Sequence, residues 1–230
     1  MRTGVIIQAR LGSTRFPGKV LAGIIGRPML AYVVARAQAI GADETVLAIP
    51  EGREEDPLVY WGEQLGVVVK RGPMEDVLAR YWKIAREAEY EVIVRITADC
   101  QLLCPVVARQ VMEMVTGDVE YASNVHPDRS YPDGCDVEAF TLNLLARAFQ
   151  EATTAHDREH VTPWMQREAL LTACLKNPHG DWSRVRWTVD IPADLEPIRR
   201  IVSHMLPDTM VSTFEETRTA AFAAEVWPAI

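Results

Sequence analysis

Across the first hundred residues, short apolar runs alternate with amphipathic stretches of helical period. Residues 5–8, 45–49, 67–69 and 92–96 are rich in valine and isoleucine and read as strands. Residues 28–37, 56–65 and 74–88 read as helices, the first with proline in its opening turn. In the third, Val77, Leu78, Tyr81, Ile84 and Ala85 recur at core spacing. Repeated βα units demand a parallel sheet with right-handed crossovers. Further along, a helix is expected at 106–115 and a strand at 120–123. Residues 128–140 are turn-rich and read as irregular or a hairpin. Helices follow around 142–151 and 158–168, then a strand at 185–189 ending at Asp190 and a helix at 193–205. The 230 residues are expected to form one α/β domain.

The first of these strands delivers a loop unlike the rest of the chain. Arg10, Arg15 and Lys19 fall within ten positions, interleaved with Gly12, Ser13, Thr14 and Gly18, in a protein of net charge −8. Glycines let backbone N–H groups turn towards a ligand, and the cations add fixed positive charge. A strand feeding such a loop to a sheet edge is how α/β proteins hold phosphate. The plainer reading is a basic surface turn. The loop is not a Walker A motif: five residues separate Gly12 from Gly18, and Val20 follows the lysine where a magnesium-binding hydroxyl belongs. A dinucleotide glycine fingerprint is absent as well.

Two acids stand at the ends of expected strands. Asp99 follows 92–96 and Asp190 follows 185–189. The carboxyl ends of parallel strands are where α/β ligand sites form. Two carboxylates meeting there would hold Mg²⁺ beside phosphates bound by the basic loop. Each acid read alone is equally a helix N-cap.

Composition narrows the alternatives. The negative charge argues against a nucleic-acid binder that works by neutralising phosphates. The start, Met1-Arg2-Thr3-Gly4, does not read as a signal peptide, and no run approaches the roughly 20 apolar residues of a membrane span. The expectation is a cytoplasmic protein whose Cys100, Cys104, Cys135 and Cys174 stay reduced. Cys100 and Cys104 lack the second close pair of a zinc site. His156-Asp-Arg-Glu-His160 matches a zinc-peptidase pattern, for which a phosphate loop has no use. Trp61, Trp82, Trp164 and Trp187 read as core residues. The acidic run 51–56 reads as a solvated loop and helix start.

Gln8-Ala-Arg-Leu-Gly-Ser-Thr-Arg-Phe-Pro-Gly-Lys19 resembles the opening signature of the CMP-KDO synthetase-like cytidylyltransferases, and most nearly their spore-coat polysaccharide biosynthesis protein F branch. Further matches follow in order: Arg71-Gly-Pro-Met-Glu-Asp-Val-Leu-Ala-Arg80, Arg95-Ile-Thr-Ala-Asp-Cys100, Tyr131-Pro-Asp-Gly-Cys-Asp-Val-Glu138, Arg158-Glu-His-Val-Thr162 and Thr188-Val-Asp-Ile-Pro-Ala-Asp-Leu-Glu196. They cover nearly the whole chain.

The resemblance implies a three-layer nucleotidyltransferase fold of glycosyltransferase-A type with a mostly parallel central sheet. Residues 120–170 would form a subdomain for acceptor binding or dimerisation, and a homodimer is expected by analogy alone. It implies transfer of a nucleoside monophosphate from a triphosphate, typically CTP, to a sugar or sugar acid. Arg10, Arg15 and Lys19, with Gln8, Gly12 and Ser13 in the same loop, would hold the triphosphate. Asp99 and Asp190 would bind Mg²⁺. Arg71, Gly72, Asp76 and Arg80 would lie along base and ribose. The stretch Tyr131–Glu138, with Tyr131, Asp136 and Glu138 as its binding residues, would face the acceptor together with Glu159 and His160. The chain departs from the family after Asp99-Cys100, where the usual proline and later acid are Gln101 and Cys104. Two further readings remain: a glycosyltransferase on the same fold, against which stands the lack of an Asp-x-Asp motif, and a nucleotide-binding protein without turnover.

Overall fold

The computed structural model describes residues 1–205 and 210–226. In chain order its elements are β1 (Thr3–Gln8), the two-residue strands β2 (Gly23–Ile24) and β3 (Arg27–Pro28), α1 (Met29–Gln38), β4 (Glu44–Pro50), α2 (Asp56–Gln64) and β5 (Val68–Gly72). Then come α3 (Val77–Glu87), β6 (Val92–Thr97), α4 (Pro105–Met114), β7 (Tyr121–Ser123), β8 (Glu138–Thr141) and α5 (Leu142–Glu151). The chain continues through α6 (Ala155–His160), α7 (Pro163–Glu168), β9 (Thr172–Cys174), α8 (Leu195–Ser203) and α9 (Phe214–Ala223).

Seven strands form one sheet in the order β5-β4-β1-β6-β8-β7-β9. Neighbouring strands from β5 to β6 are parallel, while β8 runs antiparallel to both β6 and β7. The sheet is thus mostly parallel, with β8 as its one reversed strand among the described residues. Side chains alternate across it: Val5 and Ile7 enter one apolar layer, Ile6 the other. Helices α1, α4 and α8 cover the first face, and α3, α5 and α7 the second. A strand buried on both sides has no use for polar alternation, which is why β1 and β6 are nearly continuous apolar runs.

Register fixes where the loops emerge. Gln8, the last residue of β1, lies beside Ala48 of β4 and Thr97 of β6. The loops carrying Arg10 and Asp99 therefore leave the sheet side by side at its carboxyl edge.

Four expectations are corrected. Residues 185–189 join no strand; they are extended and make a single bridge, Arg186 with Asp133. The helix expected over 158–168 is two helices, broken at Val161 (φ 72°). Pro163 lacks the N–H that would continue the first helix and starts the second instead. Within 128–140, Glu138 opens the sheet strand β8. The acidic run 51–56 is not solvated throughout, because Glu55 is fully buried. Of the four tryptophans, Trp164 and Trp187 are buried, while Trp61 and Trp82 are half-buried against the core.

Candidate functional site

A cavity of about 450 Å³ opens at the carboxyl edge of β1 and β6. The chain reaches it first through the loop after β1. That loop is folded on itself: Leu11 accepts from the N–H groups of Ser13 (2.8 Å) and Gly18 (2.9 Å). Gly18 takes φ 70°, a conformation costly for residues with a Cβ, and turns the chain into the short 3-10 segment Lys19–Leu21. Below the loop, the buried Glu55 carboxylate accepts the Leu11 N–H at 2.9 Å. That bond anchors the loop to the segment after β4.

Lys19 is the point of convergence. Its ammonium donates to Asp99 Oδ2 at 2.9 Å, to Asp190 Oδ1 at 3.1 Å and to the Val189 carbonyl at 2.9 Å. Residues 80 and 171 positions away in sequence thus meet on one cation. Burial works against the Lys19 charge, yet the two carboxylates outweigh it and raise its pKa. Burial likewise opposes the Asp190 charge, but Lys19, Arg186 and Arg15 hold its pKa below the usual carboxylate value. Arg15 approaches Asp190 Oδ1 at 3.1 Å, and Arg186 grips Oδ2 at 2.6 Å.

The walls divide by element. From α3 comes Arg80, 3% exposed, with Nε and Nη1 buried and unpartnered. Burial, followed by the Arg10 charge, lowers its pKa. Gly72 makes room for it, since a Cβ there would sit 2.4 Å from Arg80 Cγ. From α6 come Glu159, 3.6 Å from Arg10 Nη2, and His160. Burial, then His156, lowers the His160 pKa, so its ring is neutral at pH 7. From the 131–136 turn come Asp133 and Asp136, the latter clasped by Arg129 at 2.5 and 2.8 Å. Arg95 forms part of the floor, donating to Gln8 Oε1 at 3.2 Å and to Glu138.

Of the residues singled out in the sequence, Gln8, Arg10, Ser13, Arg15, Lys19, Arg80, Asp99, Asp136, Glu159, His160 and Asp190 line this cavity. Six others do not. Gly12 is exposed at the loop tip. Arg71 is turned towards Asp56 (2.5 Å) and the Gly52 carbonyl. Gly72 ends β5 beneath Arg80. Asp76 caps α3 through the Ala79 N–H at 2.9 Å and pairs with Arg158. Tyr131 is 2% exposed and packs edge-on against Phe214. Glu138 is buried, holding Arg95, the Tyr121 hydroxyl (2.5 Å) and Gln166 (3.1 Å). Arg95 and Thr188 line the cavity as well, and Asp133 does so from within the 131–138 stretch expected to face the acceptor. A charge inside the apolar run 92–96 was the available signal for Arg95.

Metal capacity is limited. Among the described residues no three His, Cys, Asp or Glu are grouped to hold an ion by themselves. The His156 and His160 rings lie 4.5 Å apart, tilted at 59°, and among the described residues belong to no group of three metal-ligating side chains. The four cysteines are free thiols, three of them buried. Mg²⁺ asks for less than a full protein cage: one or two carboxylates, with phosphates and water completing the octahedron. Asp99 and Asp190, touching a single ammonium, fit that requirement. No described helix is long and apolar enough to cross a membrane.

Comparison with known proteins agrees with this geometry. A structure of a cytidylyltransferase from Leptospira borgpetersenii superposes with a TM-score of 0.91 at 26% identity, covering 98% of this chain and 96% of that one. The spore coat polysaccharide biosynthesis protein SpsF of Bacillus subtilis is 29% identical over 206 residues, 85% of this chain and 84% of that protein. A 3-deoxy-manno-octulosonate cytidylyltransferase of Vibrio cholerae is 27% identical over 256 aligned positions, 86% of this chain and 97% of that protein. The profile described as Cytidylyltransferase matches residues 4–217. Because that match runs through most of the described chain, the chain belongs to the cytidylyltransferase family.

Proposed function

We propose that this protein transfers CMP from CTP to a sugar acid or a related precursor of surface polysaccharide, with release of pyrophosphate. The observation that carries the reading is the meeting of Lys19, Asp99 and Asp190 in a cavity that Arg10 and Arg15 also line. Cations and paired carboxylates at one point suit a polyphosphate that brings its own divalent ion.

Phosphoryl and nucleotidyl transfers ask a protein mainly for alignment and charge neutralisation. Arg10, Arg15 and Lys19 would take the phosphate oxygens, arginine through paired N–H contacts. Asp99 and Asp190 would hold Mg²⁺, which when bound supplies charge neutralisation at the α-phosphate. Arg80, with donors that no protein group uses, would meet the nucleoside on the β5 side of β1. Asp136, Glu159 and the neutral His160 would receive hydroxyls of the acceptor. An acceptor oxygen would then attack the α-phosphorus in line as pyrophosphate departs, without a covalent enzyme intermediate.

The test is pyrophosphate release with Mg²⁺, each of the four nucleoside triphosphates and a panel of sugar acids and sugar phosphates. Release that requires CTP and one acceptor is expected. Product formed only from a preformed nucleotide sugar would instead make the protein a glycosyltransferase, and binding without release would leave it a nucleotide-binding protein.

A further inference from the structure

The two carboxylates beneath Lys19 stand on unequal foundations. Asp99 lies in the turn two residues past β6, and its neighbour Ala98 still donates to the Gln8 carbonyl of β1 at 3.0 Å. Asp190 ends the extended segment 185–190, which has no strand beside it. Two backbone bonds tie that segment to the 131–136 turn, the Asp133 N–H donating to the Val185 carbonyl (2.9 Å) and the Trp187 N–H to the Asp133 carbonyl (2.6 Å). The Thr188 hydroxyl (3.4 Å) and Arg186 (3.6 Å) also reach the Asp133 carboxylate. That turn approaches so closely that a Cβ on Gly134 would lie 2.8 Å from the Thr188 nitrogen. A different bond reaches the segment from the loop that bears Asp99. Gln101, two residues past Asp99, donates Nε2–H to the Trp187 carbonyl, three residues before Asp190, at 2.5 Å.

Gln101 is fully buried, and its Oε1 has no partner. A buried amide oxygen without a hydrogen bond costs stability. An apolar side chain of the same size would remove that unpaired oxygen but take this donor from the buried Trp187 carbonyl. What glutamine adds is the donor to Trp187.

We propose that Gln101 is a positioning residue: its bond to Trp187 sets the separation between Asp99 and Asp190, and through it the grip of the two carboxylates on a shared divalent ion. This rests on the carboxylate pair serving the nucleotide-bound metal described above. Groups that orient metal ligands from behind commonly change metal affinity by 10- to 100-fold when removed.

The test compares wild type with Gln101→Met, which keeps the length of the side chain and loses the N–H. Gln101→Leu replaces it should the methionine variant not fold. Cys104→Ala is a buried change close by in the chain that leaves the Gln101–Trp187 bond in place. Backbone hydrogen exchange of the ligand-free proteins is expected to quicken about fivefold at residues 188–190 in Gln101→Met, the equivalent of one net hydrogen bond. Mn²⁺ binding with CTP, followed by electron paramagnetic resonance, is expected to weaken about tenfold or more. The kcat at saturating Mn²⁺ is expected to stay within about twofold, since metal saturation restores the geometry. Cys104→Ala is expected to change none of the three. Unaltered exchange at 188–190, or faster exchange with unaltered Mn²⁺ affinity, would overturn the positioning role while leaving the proposed function intact. If the wild type binds no Mn²⁺ with CTP, the proposed function fails and this role fails with it.

Discussion

Lys19 and Asp99 illustrate how much a single side chain carries here. Asp99→Asn keeps the size of the side chain and removes the charge that faces Lys19 and would face a metal. It is expected to cut CTP-dependent turnover by about 10²- to 10³-fold, the scale for losing one preorganised electrostatic group. Circular dichroism is expected to stay unchanged. A variant retaining near-normal rates in saturating Mg²⁺ would remove Asp99 from the site. Glu55 shows the opposite case, a residue away from the chemistry that holds the loop in place. Its carboxylate is the acceptor for the Leu11 N–H, so Glu55→Ala leaves that donor without a partner. A loss of about 1–3 kcal/mol in urea unfolding is expected, together with a raised KM for CTP. Unchanged values of both would mean that the loop holds its shape without the anchor. In the sequence, Glu55 was indistinguishable from Glu51 and Glu54, because burial of one acid in a run leaves no trace in composition.

At the scale of elements, the reversed strand β8 is held to β6 by more than backbone pairing. Glu138 of β8 lies beside Arg95 of β6 in register and forms an ion pair with it. Burial opposes the Glu138 charge, but Arg95 and the Tyr121 hydroxyl prevail and depress its pKa. A carboxylate depressed in the fold adds stability that is complete above its unfolded value of about 4.3. That stability is lost as pH falls through the lower folded value. Glu138→Gln is therefore expected to cost about 3 kcal/mol at pH 7, with the gap to wild type narrowing towards pH 3 in urea titrations. A gap independent of pH would mean that packing, rather than charge, explains the loss. The two periodicities made β1, β4, β6 and helices α1 to α5 readable, since each buries a continuous stripe or a whole strand. Residues 185–189 misled for a physical reason. Val185, Trp187 and Val189 do point inward and alternate with Arg186 and Thr188, as in a strand, but pairing needs a neighbour that sequence alone does not supply. Strand β8 was hidden by the opposite fault: its buried Glu138 reads as a loop residue until Arg95 is placed beside it.

For the whole molecule, the proposed function makes stability depend on ligand. CTP with Mg²⁺ at about 100 times its Kd is expected to add about 2.7 kcal/mol, a rise of roughly 5–10 °C in Tm for a chain of this size. Chelation with EDTA is expected to remove most of that rise, and GTP to give little. Equal shifts with all nucleotides would contradict selectivity for cytidine. The convergence of Lys19, Asp99 and Asp190 was legible as a possibility, because each follows an apolar run or a glycine-rich turn. That Lys19 would be the bridge, and that Arg71, Asp76, Tyr131 and Glu138 would stand behind or beneath the walls, depended on side-chain directions set by packing.

The segment that brings Asp190 alongside Lys19 also dates the birth of the site. The partners of that contact are 171 positions apart, and the chain entropy lost in closing a loop grows with its length. A chain still emerging from the ribosome, or one cut before residue 185, would own a basic loop and a first acid but no second one. The paired acids are therefore incomplete until residue 190 has been made.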